Sequence, residues 1–105
     1  GSTNSSPSKP VANSSYVTAT LENRSNEAVH IFVEGESFGP SNKIAPGAKR
    51  TVRLSMPANG RIKFISGRNG NVIATKIWNG DPSNPNRYPV VVFSGQTLLI
   101  TTGLR

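Results

Sequence analysis

The 105-residue sequence contains no cysteine, which excludes disulfide bonds and thiolate metal sites. It has no apolar run approaching the roughly 20 residues that a membrane-spanning helix needs. Acidic residues and histidine are scarce, with five Asp or Glu and one His. Catalysis by side chains needs a nucleophile with a base, a pair of carboxylates or a metal, and the sequence offers few such combinations. The composition therefore favours a domain without enzymatic activity.

The candidate catalytic and metal-binding residues lack the spacing that such sites require. A Ser–His–Asp arrangement would have to use His30 and Asp81, and no nucleophile-elbow sequence accompanies them. His30, Glu34 and Glu36 fall on one face of a predicted strand, but their spacing is not diagnostic of zinc. The loop around Asp81 lacks the spacing of a calcium-binding loop. We predict no catalytic residue, no metal and no cofactor.

Basic residues dominate the charge, because twelve Lys and Arg against five acidic residues give a net charge of +7. Such a charge attracts polyanions such as acidic polysaccharide, nucleic acid or an anionic membrane surface. The cations are dispersed, and Lys49 and Arg50 form the one adjacent pair. We expect an anionic glycan or an anionic protein surface as partner, with nucleic acid as the weaker candidate.

The first 15 residues are nearly all Ser, Asn, Pro and small side chains. Such a segment buries too little apolar surface to offset the entropy of ordering, which predicts a flexible leader before a domain at 16–105. A leader of this composition is typical of a tether, so we expect a monomeric domain exported by a bacterium to the periplasm, the cell surface or the medium. Three Asn-X-Ser sequences, at Asn4, Asn13 and Asn23, match the N-glycosylation pattern.

Alternation of apolar and polar residues recurs along the domain, and no segment keeps a helical period. We expect the first two strands to pair with each other and the last two to form a hairpin that places Phe93 opposite Leu98. This pattern predicts a seven-stranded antiparallel β-sandwich of immunoglobulin-like or fibronectin-like architecture, and the alternative is a five- or six-stranded β-barrel. The predicted strands span residues 16–22, 28–34, 49–55, 60–68, 71–78, 90–93 and 97–102.

Residues 60–78 have the pattern of a β-hairpin that turns at Asn69 and Gly70, a pair that tolerates the positive φ angles of a type I′ turn. A two-residue loop would place Ile62 opposite Ile77 on a largely apolar face. The opposite face would then pair Lys63 with Lys76 and Arg61 with Trp78.

This second face of the hairpin is the predicted binding surface. Cations beside an aromatic ring suit an acidic glycan, an acidic protein patch or single-stranded nucleic acid. The alternative is that Trp78 is buried at the edge of the sandwich and that the lysines protect an edge strand. With two residues from the loop at 79–89, the predicted ligand-binding residues are Arg61, Lys63, Lys76, Trp78, Arg87 and Tyr88.

The sequence thus predicts a non-enzymatic, exported binding or interaction module whose ligand it does not identify. One alternative is a basic β-barrel that binds nucleic acid, although aromatic and basic residues alternate only once along the strands. The other alternative is a structural spacer domain in a surface protein.

Overall fold

Two four-stranded β-sheets pack face to face in the computed structural model, which describes residues 15–105. The first sheet has the strand order β4-β1-β7-β8, and the second has the order β3-β2-β5-β6. A short 3-10 turn, Pro40–Asn42, precedes β3. The strands are β1 (Ser15–Asn23), β2 (Val29–Val33), β3 (Lys43–Ile44), β4 (Lys49–Met56), β5 (Arg61–Arg68), β6 (Asn71–Asn79), β7 (Arg87–Phe93) and β8 (Leu98–Leu104).

The predicted all-β, two-layer fold is confirmed, and the barrel alternative is wrong because the strands form two separate sheets. The predicted count of seven strands is wrong, since β3 adds an eighth whose two residues are too few to show alternation. The predicted leader lies outside the described residues, apart from Ser15, which begins β1. No helix in the described part of the chain is long and apolar enough to cross a membrane.

The position of β1 in the sheets differs from the predicted strand pairing. The predicted pairing of the first two strands is wrong, because β1 and β2 belong to different sheets. β1 lies between β4, to which it is antiparallel, and β7, to which it is parallel. The strand order therefore differs from the ABED and CFG sheets of immunoglobulin domains, and the likeness extends to the two-layer architecture alone.

The core lies between the sheets, and its side chains alternate along the strands with outward-facing polar ones. The final hairpin is confirmed, with Phe93 opposite Leu98 and Val91 opposite Ile100. Complete burial of one Val, Leu, Ile or Phe side chain stabilises a fold by about 1.5–3 kcal/mol. The core includes Val17, Ala19, Leu21, Ile31, Ile62, Phe64, Val91 and Phe93.

The hairpin of β5 and β6 turns as predicted but shifts its register beyond the turn. Asn69 and Gly70 have φ angles of 57° and 79°, as a type I′ turn requires. A β-bulge between Ser66 and Gly67 then shifts the pairing. Ile62 consequently lies opposite Trp78, not Ile77, so the predicted register is wrong by one residue over most of the hairpin.

The bulge occurs where another segment approaches the outer face of the second sheet. A Cβ atom at Gly67 would collide with the ring of Phe38, so only glycine fits beneath that ring. Phe38 also packs edge-on against Phe32 and His30, with ring centroids 5.1 and 5.3 Å apart. The long β2–β3 connection therefore folds back over its own sheet.

A buried asparagine joins the two sheets at one end. Asn23, the last residue of β1, has no solvent exposure, and its Nδ2 donates to the carbonyls of Glu27 and Ile44 at 2.7 and 3.0 Å. Its Oδ1 accepts from the amide and the hydroxyl of Ser25 at 2.9 and 2.6 Å. Because Ile44 belongs to the second sheet, this amide links the sheets. The same burial makes Asn23 unsuitable as a glycan acceptor, against its match to the acceptor pattern.

We expect Asn23→Ala to lower the free energy of unfolding by about 3 kcal/mol, because it leaves buried polar groups without partners. Urea denaturation measures this loss. The exposed Asn26 provides the control, since Asn26→Ala should change stability by less than about 0.5 kcal/mol. Equal losses from both variants would contradict the assigned role of Asn23.

Candidate functional site

The bulge divides the predicted hairpin face between the two sides of the second sheet. Arg61 and Lys63 lie on its outer side, where alternation with the buried Ile62 places them. Trp78 pairs with Ile62 and points into the core, with 4% of its surface exposed. Lys76 pairs with a core residue of β5 and is exposed. The structure therefore does not bring these four residues together as one surface.

Trp78 closes one side of the sandwich, as the alternative interpretation of this residue proposed. Its Nε1 donates to Oγ1 of Thr102 in β8 at 3.0 Å, which joins the edge strands of the two sheets. A Cβ atom at Gly80 would collide with the indole ring, so the ring packs directly on the backbone there. Buried indole N–H groups need such a partner.

The remaining predicted residues have different surroundings. Lys63 lies 3.9 Å from a carboxylate oxygen of Glu34, in an exposed ion pair that contributes little stability. Arg87 and Tyr88 begin β7, so the predicted loop at 79–89 ends before them. Whether any of these residues binds a ligand stays a prediction, and of the six only Tyr88 belongs to the surface described below.

The candidate catalytic and metal-binding side chains stabilise loops. His30 Nδ1 lies 2.8 Å from Oδ1 of Asn42 and thereby holds the β2–β3 connection. Asp81 Oδ1 accepts from the amide and the hydroxyl of Ser83, in a turn of its own loop. Among residues 15–105 no three His, Cys, Asp or Glu side chains group as metal ligands would.

Two arginines are stacked on two tyrosines at the outer face of the first sheet. The guanidinium carbon of Arg53 lies 4.1 Å from the ring centroid of Tyr16, which is 47% exposed. The guanidinium carbon of Arg105 lies 4.8 Å from the ring centroid of Tyr88. We call these four residues the tyrosine face.

Strand register positions both stacks. Tyr88 lies opposite Gly103, and a Cβ atom there would collide with its ring, so the ring lies across β8. Arg53 lies opposite Thr18, one alternation step from Tyr16, and reaches Tyr16 as a diagonal neighbour. Alternation in the sequence already places Tyr16 outward, whereas Tyr88 was predicted to lie in the loop at 79–89. The cation partners of both tyrosines depend on register and could not be predicted.

Most other side chains of this outer face are apolar or carry hydroxyls, and two are charged, Glu22 of β1 and Lys49 of β4. Glu22, an acidic residue on the face, accepts a hydrogen bond from Arg24 Nε at 3.0 Å, which holds the pKa of its carboxyl below the usual value. The uncharged residues that point outward around them are Thr18, Thr20, Thr51, Ser55, Val90, Val92, Leu99 and Thr101.

Comparisons with protein-family models, curated proteins and solved structures found no match to this chain.

We expect the fluorescence of Trp78, the single tryptophan, to be blue-shifted in the folded protein and to shift red on unfolding, because its indole is buried. Thr102→Val should lower the free energy of unfolding by about 1–3 kcal/mol, since the indole N–H loses its acceptor. Thr75→Val, at an exposed position of β6, is the control. A native emission like that of free tryptophan would contradict the burial.

A carboxyl titration tests the pairing of Glu22 with Arg24. Arg24→Gln should raise the pKa of Glu22 towards its ordinary value, because the guanidinium hydrogen bond is its largest lowering cause. The stabilisation linked to the low pKa is present at neutral pH and is lost as the pH falls through the folded-state pKa. NMR titration of the side-chain carboxyl measures the shift, and an unchanged pKa would contradict the pairing.

Proposed function

We propose that this domain is a non-enzymatic binding module that holds an anionic glycan on the tyrosine face. One observation carries the proposal: two guanidinium groups are stacked on two tyrosine rings of the same sheet face. Within residues 15–105, neither Arg53 nor Arg105 forms an ion pair with an acidic side chain.

Stacking prepares an arginine for an anionic ligand. The ring fixes the guanidinium plane, so less side-chain entropy is lost when a ligand binds. The N–H groups at the edge of that plane remain available for paired hydrogen bonds to a carboxylate or a sulfate. Two such groups on one sheet suit a polymer that carries repeated negative charges.

The residues around the tyrosine face, on the same side of the first sheet, have side chains suited to contact with a sugar ring. Hydroxyls of Thr18, Thr20 and Tyr16 can donate and accept hydrogen bonds, as sugar hydroxyls do. Val90 and Leu99 present apolar surface to the C–H groups of a sugar, and Leu99 is 60% exposed.

Nucleic acid fits this face less well than a glycan. Proteins that bind single strands stack successive bases on uncovered aromatic rings. Here an arginine lies over each ring, and the ring of Tyr88 also lies against Gly103. The rings are thus already occupied, whereas the guanidinium edges are not.

Export belongs to the same proposal. The Ser-, Asn- and Pro-rich composition of residues 1–15 supports a tether, and the lack of cysteine requires no particular redox environment. In this proposal the module is a monomeric domain, bacterial in style, held near a cell surface or in the periplasm.

Calorimetric titration with a short oligogalacturonate tests the proposal, with a neutral glucan of the same length as control. We expect binding of the acidic oligomer alone. Arg105→Gln and Arg53→Gln should each weaken it by about three- to tenfold, as expected for loss of a stacked cation. Lys76→Gln removes the same charge away from the tyrosine face and should change affinity little.

Three outcomes would overturn the proposal. An equal loss from Lys76→Gln would show that binding reflects overall charge. Tighter binding of a single-stranded oligonucleotide, with a steep dependence on salt, would favour the nucleic-acid alternative. No binding to any acidic oligomer would favour a spacer domain.

A further inference from the structure

A groove runs along one side of the sandwich, between β4 of the first sheet and β2 of the second. Two adjoining clefts of about 190 Å³ and about 560 Å³ share Val33, Glu36, Arg53 and Leu54 as lining residues, so they form one continuous groove. The opposite side is closed, because Trp78 of β6 bonds to β8 there. The sandwich is therefore open on one side.

Both strands that border the groove have an edge without a neighbouring strand. Among the described residues, β4 pairs with β1 alone, so the other edge of its eight residues is free. β3 pairs with β2 only at Val29 and His30, but the Val33 carbonyl on that side already accepts from the Glu36 amide at 3.0 Å, so β4 offers the freer edge. Strand edges of this kind can accept an additional strand.

The backbone groups that face the free edge of β4 can be identified. Asn23 N–H donates to the Ala48 carbonyl, so residue 48 points its backbone groups towards β1. These groups alternate in direction along a strand. Thr51, Arg53 and Ser55 therefore direct their N–H and C=O groups into the groove side.

The side chains along the groove set the sequence that it would accept. On the inner side β4 presents the half-buried Val52 and Leu54, which face Val33 and Phe64. On the outer side it presents the exposed cations Lys49 and Arg53. If a strand were added beside β4, every second side chain of that strand would pack against Val52 and Leu54. The side chains between them would lie on the outer side, beside Lys49 and Arg53.

Arg50 fixes one end of the groove. Its Nη1 donates to the Ser41 carbonyl and its Nη2 to the Lys43 carbonyl, the latter at 3.0 Å. These bonds tie β4 to Ser41 in the β2–β3 connection and to Lys43 in β3, and they close the groove at that end.

We propose that this groove binds an extended segment of a partner protein in which apolar residues alternate with acidic ones, added as a strand to the free edge of β4. This site shares Arg53 with the tyrosine face, but it uses the backbone edge of β4 and does not depend on the glycan proposal. The charge selects the occupant. β4 carries Lys49, Arg50 and Arg53 and no acidic residue. Glu34 and Glu36 also line the groove, but four cationic side chains outnumber them there: Arg50, Arg53, Arg61 and Lys63. A second copy paired through β4 would set two such cationic strands side by side, and like charges on neighbouring strands repel. Residues 1–14 contain no acidic residue and include Lys9, so they do not match either.

Hydrogen exchange tests the added strand on the whole chain. The probe is a capped eight-residue peptide that alternates valine with glutamate, and its controls are a scrambled peptide of the same composition and one that alternates valine with lysine. At saturation the amide hydrogens of Thr51, Arg53 and Ser55 should exchange with solvent at least about tenfold more slowly. The added strand would shield each of these amides from water. The control peptides should leave them unchanged.

A proline substitution gives an independent readout. Thr51→Pro removes an N–H that faces the free edge without removing a bond to β1, and should weaken peptide binding by up to about tenfold. Thr51→Val keeps the N–H and is the matched control, and the emission of Trp78 reports that each variant is folded. If Thr51→Pro does not fold, the exchange pattern of the unmodified chain decides.

Several results would overturn the proposal. Protection by the scrambled peptide would show charge attraction without strand pairing. Absence of protection at all three amides would show that the cations of β4 only guard its edge against self-association. Protection of the same amides without peptide, dependent on protein concentration, would assign the edge to a second copy.

Discussion

The buried side-chain amide of Asn23 is the constraint on which the arrangement of the two sheets depends. Its Nδ2 donates to the Glu27 carbonyl across the turn after β1 and to the Ile44 carbonyl in the second sheet, and its Oδ1 accepts from Ser25 in that turn. The adjoining amide of Arg24 donates to the Phe93 carbonyl at 2.9 Å, where β7 ends. Three segments distant in sequence therefore meet at one point, and an apolar residue there would leave their polar groups unpaired.

Alternation and turn residues in the sequence predicted seven of the eight strands and most of the core. They did so because each strand has one face in water and one in the interior, and because the type I′ turn at Asn69–Gly70 and the final hairpin depend on local residues alone. What they did not predict depends on contacts between distant segments. The bulge next to Gly67 accompanies the approach of Phe38 from another connection, and the place of β1 between β4 and β7 depends on chain topology.

In the candidate site, too, the local pattern was predictable and the contacts between distant residues were not. The sequence directed attention to cations beside aromatic rings, and this kind of contact does occur, but at Tyr16 with Arg53 and at Tyr88 with Arg105. One extra residue in β6 was enough to turn Trp78 from the outer face into the core. A binding surface defined by cross-strand neighbours is therefore only as well predicted as the register.

The central position of β1 also affects the order in which the chain acquires its structure. All four strands of the second sheet lie within residues 29–79, so that sheet is complete in sequence before β7 is synthesised. The first sheet joins the first strand of the domain to its last two, so β1 keeps one edge unpaired until residue 93 has emerged from the ribosome. Such long-range parallel pairing slows folding and prolongs the exposure of an apolar strand. During synthesis, β1 is thus the segment of this domain with the longest exposure to aggregation.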